Sequence, residues 1–112
     1  MTEQYALKYN HVYFASMHPG WADTPAVRSS MPDFHAKMKN KLRSIPQGAD
    51  TIVWLAIASK ALEFENGLFF QDRQPVGKHL PLAWTKSSAQ DCQSLMKKLE
   101  EIASKFDKPS QD

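Results

Sequence analysis

The sequence predicts an α/β fold built on two parallel strands with flanking helices, and three observations point there. Val12 to Met17 (VYFASM) is a short run of β-branched, aromatic and small apolar residues without strict alternation, which suits a strand covered on both faces. Leu68 to Gln71 (LFFQ) follows an Asn66-Gly67 turn and reads as a second short strand. Between them, Ile52, Val53, Trp54, Leu55, Ile57 and Ala58 make one helix apolar almost all round, the pattern of a deeply packed element.

Taken in order, Thr2 to Tyr9 carries good helix formers in Glu3, Gln4, Ala6, Leu7 and Lys8, and Asn10 can stop that helix because it tolerates left-handed geometry. The strand then occupies residues 11 to 17. Pro19 has no amide proton and holds His18 extended, so the ladder ends there. Gly20 lets the chain turn and lets a ligand approach without meeting a Cβ. Ligands in open α/β sheets sit at the carboxyl ends of strands, so this Pro-Gly corner is a candidate site, although turn chemistry alone explains most such corners. Thr24 and Pro25 read as the N-cap and first turn of a short helix, whose N-terminus would favour phosphate. Trp21 either packs the loop or walls a pocket. Arg28 to Asn40 holds Met31, Phe34 and Met38 with Pro32 interrupting, which predicts short helices with adaptable thioethers. The basic stretch His35 to Arg43 reads as a solvated helix face rather than a phosphate site.

Pro46, Gln47 and Gly48 begin the next helix, which is expected to run to about Lys60. Asp72 and Arg73 supply turn polarity or an ion pair, and Pro75, Gly77 and Pro81 make residues 74 to 86 a loop. Ser87-Ser88, with Gln90 and Asp91 three residues on, signals a capped helix start. Beyond it Cys92, Leu95, Met96, Leu99, Ile102, Ala103 and Phe106 recur at helical spacing, and Cys92 reads as an inert buried thiol. Residues 107 to 112 are expected to fray.

With 112 residues there is room for one domain at most. A hydrophobic content of 42% and a charged content of 23% argue against wholesale disorder. A net charge of +2 is too small to argue for a nucleic-acid partner. The single cysteine excludes an internal disulfide framework and suits the reducing cytoplasm. No stretch reaches the roughly 20 apolar residues of a membrane span. His11, His18, His35 and His79 lack metal-ligand spacing, and no G-x-S-x-G nucleophile turn is present.

HPGWADT, His18 to Thr24, following an apolar strand resembles the loop after the sixth strand of the short-chain dehydrogenase/reductase family. QGADTIVWLA, Gln47 to Ala56, resembles the family's helix before its last strand, and GLFFQDRQPV, Gly67 to Val76, resembles that strand. The resemblance covers residues 1 to 106 and implies the C-terminal part of a Rossmann-like doubly wound parallel sheet. It implies that Pro19, Gly20, Ala22 and Thr24 line the nicotinamide end of NAD(P). It further implies that Trp21 and Met31 face a pocket for a small-molecule substrate, under a lid formed by residues 28 to 40.

The same resemblance shows what the sequence lacks. Gly20, Gly48, Gly67 and Gly77 are too far apart for a Gly-rich phosphate turn, and Tyr5 and Lys8 stand three apart where the family's catalytic pair stands four. No catalytic residue is therefore assigned. The chain reads as a carboxy-terminal segment that begins inside the helix bearing that pair, inactive and without bound NAD(P) on its own. The alternative is a non-catalytic interaction module, a homo-oligomer or a partner of a full-length subunit, because two strands cannot cover the apolar faces of several helices.

Overall fold

The computed structural model describes residues 1 to 106, so the expected fraying of 107 to 112 lies outside the described residues. The elements run α1 (Thr2–Lys8), β1 (Ser16–Met17), α2 (Pro25–Ser30), α3 (Pro32–Met38), α4 (Ile45–Ile57), a 3-10 turn (Ser59–Glu63), β2 (Phe69–Gln71), β3 (Gln74–Pro75) and α5 (Ala89–Ser104). β1 and β2 lie side by side in the same direction, Ser16 opposite Phe69 and Met17 opposite Phe70. This is the parallel pair read from the sequence.

The sheet differs from expectation in having three strands in the order β1-β2-β3, with β3 antiparallel to β2. It is a small mixed sheet, and among the described residues it is not doubly wound. Gln71 pairs with Gln74, leaving a two-residue turn in which Asp72 (φ 53°) and Arg73 (φ 61°) are both left-handed. That turn matches the twist of paired strands. Without Gly or Asn at either position, its sequence signal was weak, and residues 74 and 75 read as loop.

The first strand is also shorter and more exposed than expected. Tyr13 to Met17 are only part-buried and Val12 is exposed, so the segment is not covered on both faces. Among the described residues β1 has a strand neighbour on one side only. The Tyr13 hydroxyl is enclosed without a hydrogen-bond partner among the described residues, and burial pushes its pKa upward.

Tyr9, at φ −125° and ψ 69°, ends α1 in place of a left-handed Asn10. Ser44 caps α4, which begins at Ile45, one residue before the expected Pro46, and forms a reciprocal box with Gln47. The helix stops at Ile57 because Ala58 is extended. Ser88 and Asp91 form the second capping box, at α5.

The core is small. Phe70 is fully buried between Trp54 of α4 and Phe64, with ring centroids 6.1 and 5.5 Å away. Aromatic contacts of this kind add about 0.5–1.5 kcal/mol beyond burial. Tyr5 stacks on Phe14 at 5.8 Å and ties α1 to the first strand. Much of the apolar surface is left uncovered: Ile52 and Val53 of α4 are half exposed, and Ile57 is 79% exposed. Along α5 only Met96 is buried, Leu95 is exposed and Cys92 is a half-buried free thiol, and Phe106 just past the helix is exposed as well. Among the described residues no helix is long and apolar enough to cross a membrane.

Candidate functional site

The candidate site is the corner that follows β1. The parallel ladder makes its last bond where the His18 amide donates to the Phe70 carbonyl at 3.0 Å, and Pro19 then ends it. Gly20 takes φ +71°, and its amide donates to His18 Nδ1 at 3.0 Å. A Cβ added to Gly20 would stand 2.7 Å from Arg43 Nε, so the space freed by this glycine holds a guanidinium. The sequence had suggested that it admits a ligand. On the side where a Cβ would stand, the Arg43 side chain takes that place.

Ala22 is pinned from two directions. It forms a parallel bridge with Arg43, in which the Arg43 amide donates to the Trp21 carbonyl at 2.8 Å and the Asp23 amide donates to the Arg43 carbonyl at 2.8 Å. A Cβ on Gly48 would come within 2.9 Å of the Ala22 methyl, so α4 approaches the loop this closely only through a glycine. Thr24 adopts extended geometry, and its hydroxyl accepts the Val27 amide at 3.3 Å, with Pro25 in the first turn of α2. Capping is thus the role the geometry gives Thr24.

Asp23 joins the corner to both short helices. Arg28 donates to its two oxygens at 2.7 and 2.9 Å, and His35 Nε2 lies 3.0 Å from Oδ1. The Arg28 hydrogen bonds hold the Asp23 carboxyl below the usual carboxylate range. Trp21 packs on Phe34 of α3 at 4.8 Å between ring centroids and remains half exposed. Met31 is half-buried at the junction of α2 and α3, where it caps the end of one helix and the start of the next. Pro19, Gly20, Trp21, Ala22 and Thr24 therefore form one continuous corner, and Met31 lies one short helix away.

The basic stretch His35 to Arg43 is not a uniform solvated face. α3 ends at Met38, His35 contacts Asp23, and Arg43 turns back toward the sheet. Arg43 donates to the Pro19 carbonyl at 3.3 Å and makes a two-pronged pair with Asp72, Nη2 to Oδ2 at 2.8 Å. Next to it Arg73 pairs with Asp50, Nε to Oδ2 at 2.7 Å, and its amide donates to buried Thr51 Oγ1 at 3.3 Å. These guanidinium bonds lower the carboxyl pKa of both Asp72 and Asp50. A cleft of about 500 Å³ lined by Arg43, Pro46, Gln47, Asp50 and Asp72 opens beside this cluster. Sequence reasoning offered an ion pair at Asp72 but did not pair it with Arg43, because nothing in their spacing of 29 residues links them.

No family model matches the chain. No solved structure gives a significant match either. Two curated relatives do match: the human protein named dehydrogenase/reductase SDR family member 12, 51% identical over 106 residues, and its bovine counterpart of the same name, also 51% identical over 106. In each case the match takes in 95% of this chain and 33% of the relative, so the chain spans about a third of the length of these proteins. Sharing half its residues with them across nearly its whole length, the chain belongs to the short-chain dehydrogenase/reductase family.

Proposed function

We propose that the chain forms the nicotinamide-side wall and substrate lid of an NAD(P)-dependent oxidoreductase of Rossmann-like fold, as the C-terminal part of that fold. Pro19, Gly20, Ala22 and Thr24 would line the cofactor, while Trp21 and Met31 would face a small-molecule substrate beneath α2 and α3. One observation carries this reading. A rigid Pro-Gly corner stands at the carboxyl end of a parallel strand, where open α/β sheets bind ligands.

The residues fit a dinucleotide in part. The corner is exposed at Pro19 and half exposed at Trp21, so a planar ring can reach it. The Gly20 side facing Arg43 is filled. NAD(P) would supply hydride chemistry when bound. The contribution of this chain is to shape the wall that orients the ring and to exclude water beneath the lid. The sequence holds no Tyr-x-x-x-Lys pair and no Gly-rich phosphate turn, so the chain alone transfers no hydride.

Titration with nicotinamide mononucleotide, followed by amide chemical shifts, tests the assignment. Weak shifts confined to Gly20, Trp21, Ala22 and Thr24 are expected at millimolar ligand. No shift there would remove the site, and saturable NADPH binding at micromolar concentration would overturn the inactive reading.

A second reading, a non-catalytic module that associates with another copy of itself, is favoured by the half-exposed to exposed run Ile52, Val53 and Ile57. The radius of gyration points the same way: it is 17.9 Å, where a compact domain of this length has about 13 Å. Sedimentation velocity decides. A concentration-independent monomer, unchanged by Ile57→Lys, would remove this reading.

A further inference from the structure

Arg43 hydrogen-bonds Pro19, Trp21 and Asp23, pairs with Ala22 across a bridge, and fills the place a Cβ would take at Gly20. Its main chain brackets Ala22, taking the Trp21 carbonyl and offering its own carbonyl to the Asp23 amide, both at 2.8 Å. Its side chain folds back over the preceding turn, donates to the Pro19 carbonyl and occupies the space beside Gly20. Both outer nitrogens of the guanidinium bond to Asp72, in the turn between β2 and β3. A fork so occupied has its charge matched by a carboxylate and is not available to a phosphate. Its remaining use is mechanical, to tie the corner to the hairpin.

We propose that Arg43 is the positioning residue of the Pro19–Ala22 corner, clasping it through main chain and guanidinium together and anchoring it to Asp72. The clasp is a property of the fold, while its purpose, presenting a preorganised wall to a dinucleotide, rests on the function proposed above. A lysine does not reproduce it, because its three donors sit on one nitrogen, whereas the planar fork meets both oxygens of Asp72 from two nitrogens and Pro19 as well. Arg43 does not touch reacting atoms. It acts through the backbone it holds.

Amide hydrogen exchange on the full 112-residue chain, read residue by residue by NMR, tests this. In the unmodified chain the amides of Arg43 and Asp23 are expected to be protected, since they carry the bridge. In Arg43→Ala they should exchange about tenfold faster, with a displaced Gly20 cross-peak, while the Phe70-bonded amide of His18 and the Phe69-bonded amide of Val76 change by less than about twofold. Arg43→Lys should resemble Arg43→Ala at the Gly20 peak. Asp72→Asn, which leaves Arg43 in place, should give a smaller acceleration of the same two amides.

Equal acceleration across β2 and the corner would show a general loss of stability and overturn the proposal. So would unprotected Arg43 and Asp23 amides in the unmodified chain, or no change in Asp72→Asn and Arg43→Lys. No dinucleotide enters these measurements, so a negative nicotinamide mononucleotide titration would remove the function and leave the clasp standing.

Discussion

The side chain of Asn66 stands in for a strand residue beside Phe14. Its Oδ1 accepts the Phe14 amide at 2.7 Å, and its Nδ2 donates to the Val12 carbonyl at 2.7 Å. The regular ladder with β2 begins only at Ser16, so before it this side chain, together with the Gly67 amide that donates to the Phe14 carbonyl at 2.9 Å, holds the segment in place. Asn66→Ala leaves the part-buried Phe14 amide unpaired and gives the exposed Val12 carbonyl to solvent, and is expected to lower stability by about 1–3 kcal/mol. Asn66→Asp keeps the acceptor for Phe14 and loses the donor to Val12, so its urea midpoint should fall between the two.

Gly20 and Gly77 should answer alanine in opposite ways. Gly20 sits at φ +71° with Arg43 Nε 2.7 Å from the position of a Cβ, whereas nothing lies within 4 Å of a Cβ at Gly77. Left-handed geometry alone is worth roughly 1–2 kcal/mol against Gly20→Ala, and displacing the guanidinium adds to it. Gly77→Ala is expected to be neutral or slightly stabilising, because it restricts the unfolded chain without a clash. Paired urea titrations of the two variants check the contrast.

How much of this was legible in advance depended on the range of the interaction. Thr24 as the cap of α2, Ser88 with Asp91 at α5, and the Asn66-Gly67 turn all lie within a few residues of what they organise, and the sequence shows each of them. The two strands were legible as short apolar runs, and their parallel pairing followed from the family resemblance of both stretches. The clasp was not. Arg43 sits in a basic run that patterning assigns to solvent, and its meaning depends on a hairpin 29 residues away with no Gly or Asn to mark its turn. The exposure of α4 was hidden for a different reason: an apolar pattern says that a face wants cover, not that this chain supplies it.

The two capping boxes should fail differently. Ser44→Ala and Ser88→Ala each remove an acceptor from the third helical amide and should weaken their helices by about 1 kcal/mol. α4 packs through Trp54 against the Phe70 core, so Ser44→Ala should lower the midpoint seen by Trp fluorescence and by circular dichroism alike. α5 reaches the rest of the chain mainly at α1, through buried Met96 and the Lys8–Glu100 pair at 2.6 Å. Ser88→Ala should therefore reduce helical signal with little change in the fluorescence midpoint.

Acid should loosen the ties around the corner before it touches the core. The carboxyls of Asp72, Asp50 and Asp23 are held low by hydrogen bonds from Arg43, Arg73 and Arg28 respectively, and Glu3 is held low by Lys78. A carboxyl that is more acidic folded than unfolded takes up its proton more readily in the unfolded chain. Its contribution is complete above the ordinary carboxylate value of about 4, and is lost as pH falls through the lower folded-state value. The urea midpoint should thus be level from neutral pH to about 5 and decline below about 4. Because these pairs are exposed at the surface, added salt should reduce their contribution at neutral pH. Asp72→Asn should flatten part of the acid decline and blunt the salt response. If the variant kept the full acid slope, Asp72 would not be among the groups whose protonation releases the hairpin.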